Sequence, residues 1–325
     1  MCGGTITFCR SFAGSKRHQA FRLRFVAAFS YFYNNQIQQT MHRPDDILLN
    51  DFVTRALAED VGSGDHTTQA CISADAVSNA RLLVKDVGII AGVDVAKFIF
   101  KKVAPEANLT VHIQDGSPVH DGDIVFEVSN CNTRALLMAE RLILNTMQRM
   151  SGIATMSNRF AFEVEDMPVK ILDTRKTTPL IRMLEKWAVT LGGCYNYRDG
   201  LYDWIMIKDN HIDACGGVRE AIEAVAAYQK ANNLKLNVTV EVRNLVELSE
   251  VLDAGNITRI LFDNFEWMLL KEAVATVGGR YETEASGGVN IHNVRLVAQT
   301  GVDYISVGAL THSATSLDMS LKVVK

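Results

Sequence analysis

Hydrophobic and polar positions along the chain fall into three regimes. Residues 46–59, DILLNDFVTRALAE, space their apolar side chains three and four apart, and the run EDVGSGDHTT then interrupts them with glycines and small polar residues. This predicts a helix followed by a shaped loop. Between residues 79 and 130 the rhythm shortens to the alternating runs NARLLVKDVGIIAG and LTVHIQDGSPVHDGDIVFEVS, divided by Asp-Gly turns, which predicts a small antiparallel sheet. Residues 134–150, RALLMAERLILNTMQRM, predict a long helix that is apolar over most of its circumference, with Arg141, Asn145 and Arg149 aligned as one polar stripe. Guanidinium groups on a buried rod are costly unless an anion or a partner surface meets them.

The second half is the most regular part of the chain. Six apolar runs end at VKILDT, WIMIKD, NVTVEV, RILFDN, YETEAS and YISVGA, each followed by a helix-like segment. Continuously hydrophobic strands alternating with helices imply a parallel sheet covered on both faces. The repetition predicts an α/β barrel, incomplete, rather than an open doubly wound sheet. The absence of a G-x-G-x-x-G turn after the first strand argues against a dinucleotide fold.

Barrels carry their reactive groups at the carboxyl ends of the strands. Arg175 and Lys176 follow the first run, Arg198 lies in GGCYNYRDGLYD, Lys208 closes IMIKDN, Glu241 ends VTVEV and Asp263 ends ILFDN. The last two units present backbone instead, in EASGGVN with Ser286, Gly287 and Gly288 and in SVGALTHS with Gly308 and Ala309. Glycine-rich turns leading into a helix offer unpaired N–H groups, which is a phosphate site. Glu241 and Asp263 are expected on neighbouring strands at one level of the barrel mouth. There they suit a magnesium ion or serve as ion-pair partners of the nearby cations, and both readings hold in different states. Thr178 is expected as an N-cap and Pro179 as the first helical residue, so that Arg175 and Lys176 sit beside a helix start. With Arg198, Lys208 and Arg141 they make a cationic bowl for a ligand bearing several carboxylates or phosphates.

Composition narrows the class. The chain has 325 residues, 48% hydrophobic and 22% charged, enough for a sizeable core. No apolar run approaches the roughly 18 to 20 residues that cross a bilayer, so no membrane partner is expected. Cys2, Cys9, Cys71, Cys131, Cys194 and Cys215 form no C-x-x-C pair, consistent with unpaired thiols in the cytoplasm and not with a zinc ribbon. Residues 1–44 hold no Asp or Glu but several cations, among them Arg10, Arg17, Arg22 and Arg24. That fits either a transit-type extension or a leader ahead of a true start at Met41; we expect residues 1–40 to be disordered or not part of the mature enzyme. Without the five cations before Met41 the net charge of −4 becomes −9, a poor match to nucleic acid.

Taken together, ERLILNTMQRMSGIAT, DTRKTTP, NYRDGLYDWIMIKDNHI, VEV, LFDNF, EASGGV and SVGALTHS, from Met41 to the C-terminus, closely resemble the quinolinate phosphoribosyltransferases, also called carboxylating nicotinate-nucleotide diphosphorylases. The resemblance implies an N-terminal open-faced α/β sandwich domain (residues 41–152), an incomplete α/β barrel catalytic domain (153–312), and a C-terminal segment (313–325) returning to the first domain. It implies a homodimer with shared active sites, magnesium, and no organic cofactor. By motif, Thr174, Arg175, Lys176, Tyr197, Arg198 and Lys208 would hold quinolinate and diphosphate, with Arg141 reaching in from the partner. Glu241 and Asp263 would meet the ribose hydroxyls and the metal, and Lys176 and Lys208 would join them as catalytic residues. Ser286, Gly287, Gly288, Gly308, Ala309 and Leu310 would cradle the 5-phosphate. One position departs from the family: Tyr197 stands where His is usual, and a phenol donates a hydrogen bond without carrying imidazolium charge. His211 is expected to be structural. The implied reaction converts quinolinate and phosphoribosyl diphosphate into nicotinate mononucleotide, diphosphate and CO2, in NAD biosynthesis. A nicotinate-using relative without decarboxylation, or a non-catalytic phosphate sensor, are the alternatives.

Overall fold

The structure, a computed structural model, describes residues 43–324. The expected extension over residues 1–40, with Cys2 and Cys9, lies outside the described residues. Helix α1 (Asp46–Val61) begins where the Asp45 carboxylate accepts the Leu48 N–H at 2.8 Å. The short α2 (His66–Cys71) starts in the same way on Asp65. Strands β1 (Val77–Val84) and β2 (Gly88–Ile89), helix α3 (Val93–Val103), and strands β3 (Asn108–Val111), β4 (Pro118–Val119) and β5 (Ile124–Asn132) complete the first layer. In β1 the residues Ala80, Leu82 and Val84 alternate inward, as a half-buried strand requires. Phe126 of β5 meets Phe100 of α3 edge-to-face at 6.0 Å.

Helix α4 (Thr133–Glu163) runs for 31 residues without a break. The domain boundary expected at residues 152 and 153 therefore falls inside a helix. Gly152 has a physical reason to be there: a Cβ at this point would lie 3.1 Å from Ser316 Cα and collide with Thr315. The C-terminal chain presses against the helix at this glycine, and the Gln148 amide donates to Met319 O at 3.0 Å.

The second layer is a barrel of six parallel strands. In chain order it comprises β6 (Lys170–Leu172), α5 (Arg182–Leu191), β7 (Ile205–Ile207), α6 (Asp209–Cys215), α7 (Val218–Ala231), β8 (Val238–Val242), α8 (Leu245–Ala254) and β9 (Arg259–Asp263). There follow α9 (Trp267–Val277), β10 (Glu282–Ser286), α10 (Val294–Ala298), β11 (Tyr304–Ser306) and α11 (Ala309–His312). The strand order is β6-β11-β10-β9-β8-β7, so β6 and β7 are the two edges. Tyr195 forms a bridge to Leu172 beside β6, and the chain from there to β7 spans the remaining seam. Every residue of β8 is buried, as a strand covered on both faces demands. The last strand, β12 (Met319–Val324), returns to pair antiparallel with β1, giving a first sheet ordered β12-β1-β5-β3.

One predicted boundary differs. The helix expected to open at Pro179 begins at Arg182, with Ile181 at its cap position. Leu180 takes φ of +69°, which an α-helix cannot contain. Thr178 serves the loop instead: its N–H and hydroxyl both donate to Glu185, at 3.0 and 2.8 Å.

Candidate active site

All six parallel strands deliver candidate residues at one end of the barrel. Thr174, Arg175 and Lys176 follow β6, Lys208 follows β7, Glu241 is the penultimate residue of β8, Asp263 and Ser286 end β9 and β10, and Gly308 follows β11. Lys208 forms an ion pair with the buried Glu241 across β7 and β8. Its backbone N–H donates to His211 Nδ1 at 2.9 Å, so His211 is a structural histidine that anchors the start of α6. Among the described residues Asp263 pairs with no cation, and its carboxylate accepts the Asn264 amide at 2.7 Å. The expectation that Glu241 and Asp263 share one level is corrected by the register. Glu241 lies opposite Leu261 and Asp263 opposite Ser286, so Asp263 stands two residues, roughly 6 to 7 Å, further along the sheet.

Arg175 and Arg198 form the cationic heart of the bowl. Arg175 Nε is buried without a hydrogen-bond partner. Arg198 reaches only Trp204 O at 3.2 Å and Met206 Sδ at 3.5 Å. Burial, and next the charge of Arg175 beside it, hold the Arg198 guanidinium below its ordinary range. Two half-buried cations stand side by side, and although the charges of Asp203 and Glu284 act on Arg198, no carboxylate hydrogen-bonds it. A carboxylate or phosphate placed between them would relax their mutual repulsion.

Two loops at the far wall supply backbone. Gly287 has φ of +93°, and a Cβ there would lie 2.8 Å from the Asn264 nitrogen, so only glycine fits beneath Asn264. Gly308 is roofed by Lys176: a Cβ would meet Lys176 Cδ at 2.9 Å and the His312 ring at 3.1 Å. Gly288 has φ of +62°, Ala309 opens α11, and Leu310 is buried behind it. His312 and Asn264 were missed in the sequence. Both were legible there: His312 lies four residues after Gly308, one helical turn back over it, and Asn264 is a residue tolerant of left-handed backbone directly after a strand end.

Tyr197 is placed differently from its expected role. Its hydroxyl pairs with Thr239 Oγ1 at 2.7 Å, and Trp204 donates to the same oxygen at 2.8 Å. Thr239 lies two residues below Glu241 on β8, so the phenol points down the barrel, away from the mouth. Burial first, and then the charge of Glu284, push the Tyr197 phenol well above its usual range, so it stays neutral. Beneath it Arg259 bonds Glu282 and Glu284 at 2.9 and 3.0 Å and stacks on Tyr304 at 3.7 Å. Tyr197 is the lid of this interior network, and its hydroxyl is turned away from Arg175 and Arg198. Its backbone helps position Arg198: Tyr197 N donates to Asp173 at 2.8 Å, and Lys186 holds the same carboxylate at 2.5 Å. Burial raises the Asp173 carboxyl to about 6, against the opposing pull of Lys186.

Arg141 is exposed on α4 and joins none of these contacts within its own chain. Among the described residues, no three His, Cys, Asp or Glu side chains are grouped to cage a metal.

Comparison with known proteins places this geometry. Residues 65–151 match the quinolinate phosphoribosyl transferase N-terminal domain and residues 153–322 its C-terminal domain. This chain belongs to the quinolinate phosphoribosyltransferase family. It is 45% identical over 290 residues to the mitochondrial quinolinate phosphoribosyltransferase [decarboxylating] 2b of Nicotiana tabacum, covering 85% of this chain and 82% of that one. It is 42% identical to the probable nicotinate-nucleotide pyrophosphorylase [carboxylating] of Bacillus subtilis, over 85% and 92% of the two chains. The solved nicotinate-nucleotide pyrophosphorylase of Francisella tularensis superposes with a TM-score of 0.81 at 33% identity, over 88% and 100%. Within this family architecture both domain matches meet at Gly152, the close-contact point in the middle of α4.

Proposed function

We propose that the protein transfers the phosphoribosyl group of phosphoribosyl diphosphate to the ring nitrogen of quinolinate with loss of CO2, giving nicotinate mononucleotide and diphosphate, a step of NAD biosynthesis. The observation that carries this reading is the half-buried Arg175–Arg198 pair, in which Arg175 Nε has no partner and no carboxylate bonds Arg198. Quinolinate supplies two adjacent carboxylates where nicotinate supplies one, and a single carboxylate leaves one guanidinium unmatched. Thr174, Lys176 and Lys208 complete the anion surface. Ser286, Gly287, Gly288, Gly308, Ala309 and Leu310 line the end that takes the 5-phosphate.

The pyridine nitrogen displaces diphosphate at C1 of the ribose, whose ring becomes cationic in the transition state. Glu241 and Asp263 favour that positive charge, and Lys176 and Lys208 favour the departing anion. Positioning and electrostatics suffice, without a covalent enzyme intermediate. The cationic ring nitrogen then stabilises the electron pair left on C2 when the C2 carboxylate leaves as CO2, and that pair takes a proton from water. The donor set fits magnesium, which binds through one or two carboxylates plus substrate phosphates. Asp263, with Glu241, would hold it, and it would neutralise the diphosphate. No organic cofactor is required.

A homodimer follows from what one chain leaves unfinished. Arg141 is exposed, and Leu180, Leu201 and Tyr202 near the mouth are 78%, 73% and 75% exposed, an apolar rim suited to a second copy. Arg141 of one subunit would then complete the bowl of the other. The cytoplasm is the proposed compartment. The test is to supply quinolinate or nicotinate side by side with phosphoribosyl diphosphate and magnesium and identify products by mass. Nicotinate mononucleotide from quinolinate alone is expected. Turnover of nicotinate instead would indicate the non-decarboxylating chemistry, and no turnover of either a sensor.

A further inference from the structure

Arg149 is the inner member of the polar stripe on α4, and it meets no ligand surface. Its Nε and Nη2 donate to Glu185 Oε1 at 2.9 and 2.8 Å, Nη1 donates to Ala314 O at 2.9 Å, and Nη2 also donates to Thr311 O at 2.7 Å. Glu185 is fully buried and spends its remaining acceptor capacity on the Thr178 N–H and hydroxyl. The Thr311 hydroxyl in turn donates to Lys176 O at 2.9 Å. These bonds form a closed circuit. One arm runs from Arg149 through Glu185 to Thr178, two residues beyond Lys176. The other runs from Arg149 through Thr311 to the Lys176 carbonyl.

We propose that Arg149 and Glu185 are a positioning pair that locks the 174–178 loop to the 308–314 turn, setting Lys176 over Gly308 in the geometry that receives phosphoribosyl diphosphate. The inference rests on the function proposed above and adds residues to it that touch neither substrate. Its force lies in satisfaction. Four hydrogen bonds of Arg149 go to protein acceptors, whereas no carboxylate bonds Arg198 and Arg175 Nε has no partner, so these three half-buried arginines divide into one that builds the site and two that face it. The two loops come from opposite ends of the barrel sequence. They follow the paired strands β6 and β11, and beyond that ladder the Thr311–Lys176 bond and the contact over Gly308 would alone hold the loops together without the pair.

Calorimetry with phosphoribosyl diphosphate in magnesium buffer tests the clamp, alongside titration with quinolinate alone. Arg149→Lys, Glu185→Gln and Thr311→Val should each weaken phosphoribosyl diphosphate binding at least tenfold. Quinolinate affinity should stay within threefold, and Thr311→Ser, which keeps the hydroxyl, should stay within threefold of wild type for both. Equal weakening of both ligands, or no weakening in Glu185→Gln, would overturn the proposal, and Glu185→Gln decides it if the Arg149 variant does not fold. Product formation by wild type is read separately. A wild type that binds phosphoribosyl diphosphate but makes no product overturns the function and leaves the clamp to be judged by the titrations.

Discussion

Gly287 shows how one backbone angle carries a binding site. Its positive φ and the Asn264 main chain 2.8 Å from where a Cβ would stand leave no room for alanine. Gly287→Ala should therefore cost about 1–3 kcal/mol of strain and displace the loop enough to lower kcat/KM by about 100-fold. Steady-state kinetics beside thermal unfolding checks both, and alanine tolerated in both would contradict the assigned geometry. Asp115 gives a second residue-level test, of stability alone. It accepts the Val93 and Asp94 N–H groups at the start of α3, and burial raises its carboxyl to about 6. A raised folded pKa means the folded state keeps the proton that the unfolded chain has lost. Stability from this group is therefore full below about 4 and falls as pH rises to about 6. Relative to Asp115→Asn, wild type should lose on the order of 2 kcal/mol across that window in denaturant titrations. A flat difference would remove the burial argument.

Among the elements, the strands were far more legible than the loops between them. The apolar runs from VKILDT to YISVGA are β6 to β11, because a strand covered on both faces must be hydrophobic throughout. The start of α5 was not legible: Thr178 and Pro179 carry strong capping chemistry, but Glu185, seven residues on, draws Thr178 into the loop. Tyr197 was misread for a related reason. Its motif sits at the mouth, while its hydroxyl is taken by Thr239, a contact between positions 42 residues apart that no local pattern encodes. Tyr197→Phe should lower stability by about 1–2 kcal/mol, through the unpaired interior groups, and leave the quinolinate KM within threefold. A large rise in that KM without loss of stability would return the hydroxyl to the substrate.

At the scale of the whole molecule, the sequence placed the cations and the glycine turns at the strand ends because barrel chemistry is confined there. It placed the helix over residues 134–150 but not its continuation to Glu163, and the domain boundary expected at residues 152 and 153 lies within it, at Gly152. Arg141 is the residue whose meaning depends on assembly. If sites are shared, mixing Arg141→Ala with Lys208→Ala subunits should restore about a quarter of wild-type activity by statistical pairing, because one site in each mixed dimer is intact. No recovery would assign each site to a single chain. The central claim is that Arg175 and Arg198 await two carboxylates and that one of them departs. Quinolinate labelled with carbon-13 in either carboxyl group tests it directly: labelled CO2 should arise from the C2 carboxyl only, one per diphosphate released. Diphosphate without CO2, or label from the C3 carboxyl, would contradict it.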